Sequence, residues 1–258
     1  MAHIICIANQ KGGVGKTTTA INLSAALAVS EKRTLLVDCD PQGNATTGIG
    51  LEKSSIDKTL YHGLIGKADA KSLIVDSEID SLKVIPSRVE LIGFEVEMMS
   101  DPNREMALKN LLAQLVDSFE YIIIDCPPSL SLLTVNALTA ADYMLIPLQC
   151  EFYALEGLGQ LLETVRRVKH TLNPNLKIVG ILLTMFDNRT NLSRQVAEET
   201  EKYFKNLVFN TIIYRNVRLG EAPSFGKPIL LYDAVSTGAQ NYFNLAKEIM
   251  SGQCKRQK

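Results

Sequence analysis

Net charge is almost absent from this chain of 258 residues: 27 lysines and arginines stand against 28 aspartates and glutamates, a formal charge of -1. That balance excludes a molecule that holds nucleic acid by its overall field, so any contact with DNA must come from a local basic patch. No apolar run approaches the ~20 residues that a bilayer-spanning helix needs. The five cysteines, Cys6, Cys39, Cys126, Cys150 and Cys254, contain no CxxC pair, which removes the usual spacing of a zinc or dithiol site. Four of them lie in or beside apolar, strand-like runs and read as buried small side chains in a reducing compartment. There is no internal repeat, no low-complexity linker and no signal peptide before the first strand-like run, so a cytoplasmic protein is expected.

What is present suits one globular domain over residues 1–258, with 252–258 as a flexible tail. Hydrophobic residues make up 46% and charged residues 21%, enough apolar material for a sizeable core without staples. Strand-like and helix-like segments alternate. Strands are expected over His3–Asn9, Arg33–Cys39, Leu82–Pro86, Tyr121–Cys126, Tyr143–Leu148 and Ile178–Leu183, with a weaker one at Thr211–Tyr214. The Tyr121–Cys126 run is apolar until its aspartate, as a central parallel strand covered on both faces should be. Helical periods follow at Gly15–Val29, at Leu155, Leu158, Leu162, Val165, Val168 and Leu172, and at Leu192, Val196, Tyr203 and Leu207. This alternation predicts an α/β fold, a mostly parallel twisted sheet flanked by helices on both faces. The polar stretch Leu51–Ser81 reads as a surface excursion.

The strongest motif is Lys11-Gly12-Gly13-Val14-Gly15-Lys16-Thr17-Thr18, between a predicted strand and a predicted helix. It nearly meets the phosphate-loop pattern, although Gln10 stands where the first glycine is usual. Glycines let the backbone curl until its N–H groups point at phosphate oxygens, and the helix N-terminus adds partial positive charge. Lys16 is expected to reach the β- and γ-phosphates, and the Thr17 hydroxyl to ligate magnesium.

Two strands end in acids. Leu35-Leu36-Val37-Asp38-Cys39-Asp40 places Asp38 and Asp40 at the carboxyl end of a strand, where open α/β sheets bind ligands, and alternation sets both on one face. Phosphoryl transfer needs positioning and charge stabilisation more than a strong base, so an aspartate at its ordinary pKa of about 3.9 suffices. Asp40 is the candidate for orienting water, close enough to share the metal, and Asp38 a support near magnesium. Ile122-Ile123-Ile124-Asp125 is a Walker B strand whose Asp125 is expected to hold magnesium. Pro127 and Pro128 end it.

The string KGGVGKTT resembles the deviant Walker A motif of dimerising ATPases, a family that includes the ParA/Soj partition proteins, MinD and the nitrogenase iron proteins. The stretches VDCDPQGNAT, IIIDCPPSLSLLTVNAL, QCEFYALEGL, LLTMFDNRTNLSRQV and RNVRLGEAPSFGKPI all resemble the chromosomal Soj-type subgroup, over essentially the whole chain. The resemblance implies a P-loop NTPase fold, ATP and Mg2+ as ligands, and an ATP-dependent sandwich homodimer in which Lys11 crosses to the partner's nucleotide. Lysines donated across that gap offset the repulsion between two facing triphosphates. It also implies non-specific binding to nucleoid DNA, and release when a ParB-like centromere-binding partner stimulates hydrolysis. By the family pattern Arg189 and Arg218 are the DNA candidates, with Arg194 and Arg215 beside them, and arginine's planar fork suits phosphate. The adenine candidates are Met185, Asp187 and Glu221-Ala222-Pro223, with Met185 and Pro223 foremost. The phosphate-loop strand begins almost at Met1, so a helix-turn-helix upstream, and with it operator-specific DNA binding, is not expected.

Three other classes share the motif. A MinD-like, membrane-recruited switch needs a C-terminal amphipathic helix, and Ser251–Lys258 has almost no apolar face. An iron-protein-like electron carrier needs two cluster cysteines per subunit at the dimer axis. A biosynthetic P-loop enzyme remains open, because fold alone does not fix function. Arg166, Arg167 and Lys169 read as a solvated helix face.

Overall fold

Tyr121–Asp125 is buried at all of its positions, and so is Thr34–Asp38, because both strands lie inside a sheet covered on two sides. The computed structural model describes residues 1–151 and 154–252. Cys254 and nearly all of the expected tail fall outside these residues, as do two positions of QCEFYALEGL. In chain order the elements are β1 (His3–Ile7), α1 (Lys16–Val29), β2 (Thr34–Asp38), α2 (Asn44–Gly48), α3 (Leu60–Leu64), β3 (Val75–Asp76), β4 (Leu82–Ile85), α4 (Gly93–Glu97), α5 (Ala107–Leu112) and β5 (Tyr121–Asp125). Then come α6 (Leu132–Ala140), β6 (Tyr143–Gln149), α7 (Ala154–Thr171), β7 (Lys177–Thr184), α8 (Asn191–Phe204), α9 (Val217–Glu221), α10 (Ile229–Tyr232) and α11 (Thr237–Met250).

Among the described residues the strands form one sheet in the order β3-β4-β2-β5-β1-β6-β7. All neighbours are parallel except β3, which runs antiparallel to β4. The α/β class and the parallel sheet are therefore as expected. Alternation divides the core in two: Ile122 and Ile124 face α5, α6 and α7, while Ile123 faces α1 and α11. Parallel strands bring their carboxyl ends to one edge. That edge carries the loops after β1, β2, β4, β5 and β7.

Three segments depart from the reading of the sequence. Leu51–Ser81 is not a mere surface excursion. It buries Leu60, Leu64 and Leu73 in the main core, at about 2 kcal/mol each, and supplies β3. Thr211–Tyr214 forms no strand: Ile213 N donates to Leu183 O, and Tyr214 makes a single bridge to Phe186. Helix α11 was not foreseen, yet it fills the second core with Tyr242, Leu245, Ala246 and Ile249 at helical spacing.

Neither margin of the sheet offers a long open edge among the described residues. On one side β3 is only two residues long, and Asp76 pairs with Lys83 at 2.8 Å. On the other, Val208 bridges to Ile181 and Phe209 N donates to Ile181 O. Gly180 makes this cover possible, since a Cβ there would lie 2.5 Å from the Phe209 ring.

Candidate functional site

The turn from β1 into α1 is held from three sides. Asn9 Nδ2 donates to Pro147 O at 2.7 Å, Lys11 N donates to Asn9 Oδ1 at 3.0 Å, and Thr184 Oγ1 donates to Val14 O at 2.9 Å. Gly13 (φ 75°) and Gly15 (φ 86°) take left-handed backbone, which is why glycine stands at both places. No side chain caps α1, so its first turn keeps N–H groups for an anion. Gly12, Gly13, Gly15, Lys16, Thr17 and Thr18 line a cleft of about 360 Å³ together with Asp40, Asn44, Pro128 and Met185.

The two loop lysines point differently. Lys16 is buried and its Nζ donates to Lys11 O at 3.0 Å. Burial lowers its pKa, against the pull of Asp125 and Asp40. Lys11 is not among the residues lining the cleft. Its ammonium meets Glu151 Oε2 at 2.9 Å.

The three acids are also unlike one another. Asp38 is fully buried and braced: Thr46 N and Thr46 Oγ1 each donate to Oδ2 at 2.7 Å, and Asp40 N donates to Oδ1 at 3.1 Å. Thr46 Oγ1 in turn accepts from Ser87 N at 2.9 Å, so one hydroxyl ties β2, α2 and the end of β4. Burial raises Asp38 to about 6 despite these bonds. The arrangement makes Asp38 a brace for the loop that carries Asp40. The Asp40 carboxylate accepts only from Gln42 N among the described residues, at 2.9 Å, and borders the cleft.

Asp125 is fully buried, and neither carboxylate oxygen has a hydrogen-bond partner among the described residues. Burial and then the charge of Asp38 lift its pKa well above the carboxylate range, while the Thr17 hydroxyl and Lys16 pull it down. An orphaned buried carboxylate beside a threonine hydroxyl and a phosphate-sized cradle fits a hard divalent cation. No group of three or more His, Cys, Asp or Glu is placed to hold a metal among the described residues. A cation here would therefore rely on Thr17, Asp125, Asp40 at the cleft border and oxygens brought by the ligand.

A second cleft of about 180 Å³ adjoins the first through Gly15, Thr18 and Met185, and is lined further by Ile213, Tyr214, Arg215, Asn216 and Leu219. Met185 has φ 50° and borders both clefts. Pro223 lines neither and packs 3.7 Å from where a Gly48 Cβ would stand. Asp187 is held in a bidentate pair by Arg189, at 2.9 and 2.7 Å, and does not line the second cleft.

The loops carrying the basic candidates run side by side, joined by the Phe186–Tyr214 bridge and by Arg215 N donating to Phe186 O at 3.0 Å. Arg189 and Arg218 are exposed but paired, the first with Asp187 and the second with Glu221 and Asp233. Arg194 donates to Asn191. Arg215 is exposed and makes no ion pair among the described residues. Arg166 and Arg167 pair with Glu163 on the outer face of α7. Thr46, Glu151, Thr184 and Asn216 were not foreseen as site residues. Only Thr46, a hydroxyl shortly after an acidic strand end, carried a signal that could have been read.

A protein-family description, "AAA domain", matches residues 2–178. The chain is 56% identical to the chromosome partitioning protein ParA of Myxococcus xanthus (strain DK1622), over 97% of this chain and 88% of that one. It is also 56% identical to the sporulation initiation inhibitor protein Soj of Bacillus subtilis (strain 168), over 96% and 98%. Among solved structures, a cobyrinic acid a,c-diamide synthase from Mycobacterium smegmatis with bound ATP analogue and magnesium superposes with a TM-score of 0.85. The two are 36% identical over 97% of this chain and 95% of that one.

Proposed function

The chain belongs to the ParA/Soj family of chromosome-partitioning ATPases, and from that premise we propose that it segregates DNA by using ATP as a switch for dimerisation. It is an ATPase whose ligands are ATP and Mg2+. When bound, the magnesium neutralises charge on the phosphate oxygens. The chain's own groups do the rest. Amides of Gly12–Thr18 and the Lys16 ammonium hold the phosphates, Thr17 and Asp125 hold the cation, and Asp40 orients the attacking water. Met185 and the second cleft receive the base. Asp38 keeps the Asp40 loop in place.

The observation that carries the switch reading is the direction of Lys11. Of the two loop lysines only Lys16 lines the cleft of its own chain, and Lys11 is turned outward to Glu151. A rim lysine held away from its own cleft by a half-exposed ion pair can exchange that carboxylate for a nucleotide in a second copy. The dimer then holds DNA without sequence preference through Arg189, Arg218 and Arg215 from both chains. Release follows hydrolysis stimulated by a ParB-type partner. Among the described residues no helix is long and apolar enough to cross a membrane.

Co-sedimentation with DNA in ATP, in ADP and without nucleotide tests this reading. DNA is expected to pellet with the protein in ATP only. Equal binding in all three states would overturn the switch.

A further inference from the structure

Val89, Ile92, Val96 and Met99 are 63%, 55%, 69% and 67% exposed, on a 3-10 turn (Val89–Ile92) that runs into α4. This is no loosely packed segment. Leu91 and Phe94, on its other side, are fully buried, and Glu95 Oε1 accepts from Leu132 N at 3.1 Å. The fold has thus fixed four large apolar side chains in a single outward row.

The row follows the end of β4 and so lies at the same edge of the sheet as the phosphate loop. Through Glu95 it is joined to the Pro127–Ser131 turn, whose Pro128 lines the nucleotide cleft and whose Leu130 is also exposed. Its spacing is 3, 4, 3, and reads the same in both directions. A two-fold axis through the row sets Val89 of one copy against Met99 of the next and Ile92 against Val96, which is the self-complementarity an isologous contact requires. The same register brings the end carrying Arg88 to the end carrying Asp101. Glu90, Glu95, Glu97 and Asp101 border the row and outnumber Arg88, which pairs with Glu90, and Arg104, which donates to Met99 O; the net negative charge disfavours an anionic lipid surface or DNA as its occupant.

We infer that this row is the apolar seam of the ATP-dependent dimer, buried against the same row of a second copy when both nucleotide sites are filled. The inference rests on the dimer-switch reading above and adds to it the surface that provides the contact. A seam of this kind supplies non-polar burial that the phosphate loops, rich in charge, cannot.

The test uses Ile92→Glu, Val96→Glu and the milder Val96→Ser. Each is compared with the unaltered chain for binding of a fluorescent ATP, and for dimerisation by sedimentation with an ATP analogue that resists hydrolysis. Nucleotide binding by the monomer is expected to persist, while a buried unpaired carboxylate weakens the dimer at least about tenfold. A second measurement mixes Ile92→Cys and Val96→Cys chains, both with Cys254→Ser. Cross-links between the two kinds of chain are expected only with the analogue. If the unaltered chain stays monomeric with the analogue, the switch reading falls. If it dimerises and the glutamate variants dimerise equally, or if they lose only the response to a partner protein, this inference falls and the switch reading stands.

Discussion

Lys11 and Glu151, 140 residues apart in sequence, meet at the rim of the nucleotide cleft with Nζ 2.9 Å from Oε2. The carboxylate also accepts from Gln149 Nε2 through its other oxygen, so it is held in place to receive the lysine. A lysine serving a second copy must first leave this carboxylate. The pair is about 40% exposed on each side, with values of 38% and 44%, so the contact is weak and easily exchanged. Glu151→Gln is expected to strengthen dimerisation with a non-hydrolysable analogue by up to about fivefold, consistent with at most about 1 kcal/mol for such a pair. An unchanged dimer constant would mean that Glu151 does not restrain Lys11.

Lys16 and Asp40 border one cleft but act at different stages. Lys16→Ala removes the one buried ammonium facing the phosphates and should lower ATP affinity by about 100-fold or more. Asp40→Ala should bind ATP and dimerise normally, with turnover reduced by about 100-fold or more because water loses its orienting group. Fluorescent-nucleotide titration and phosphate release separate the two. Retained affinity in the first variant or undiminished hydrolysis in the second would reassign those roles.

For DNA, the ion pairs of Arg189 and Arg218 matter. Both must exchange a carboxylate for a phosphate, whereas Arg215 has no ion pair to leave among the described residues. Arg215→Glu alone is therefore expected to weaken DNA binding at least as much as Arg189→Glu alone. Arg189→Glu with Arg218→Glu should abolish binding while leaving dimerisation intact. With ~5 phosphate contacts per dimer the log–log salt slope should lie near about -4 to -5, and each lost contact should reduce it by about 1. Gel shifts across a salt series provide the measurement.

Asp38 gives a pH dependence with a definite sign. Its buried carboxyl holds a proton up to about pH 6, whereas an unfolded aspartate does so only to about 3.9. Between these values the folded state carries the extra proton, so stability is greater on the acidic side and is lost as pH rises through about 6. The nucleotide-free protein should melt a few degrees higher at pH 5.5 than at pH 7.5, since about 1 kcal/mol moves a domain of this size by about 2–4 °C. Asp38→Asn should flatten the profile in part, with Asp125 keeping some slope. A profile as steep as that of the unaltered chain would place the titration elsewhere.

Runs that stay apolar through most of a strand made β1, β2, β5, β6 and β7 legible, because burial on both faces leaves few polar positions, most of them at the strand ends. The glycines of the phosphate loop were legible for a related reason: left-handed backbone at Gly13 and Gly15 tolerates little else. What escaped notice depends on distant partners. Leu60, Leu64 and Leu73 are spread through a polar stretch with no sustained period, and only the fold shows them meeting one core. Helix α11 does have a period, but its Tyr242, Leu245 and Ile249 sit among Asn, Gln and Lys that dilute it. Glu151 carried no local sign at all, since its partner stands 140 residues away.

The short margins of the sheet bear on how copies of this chain could meet. With two residues of reversed strand at one border and the Val208–Phe209 segment at the other, the sheet offers little edge to which a further strand could be added. On the proposed reading, copies meet end-on, across the loops at the tips of the strands. On that reading any larger array is built from pairs that nucleotide can close and open, not from a continuous ribbon of hydrogen bonds, which would have no such release.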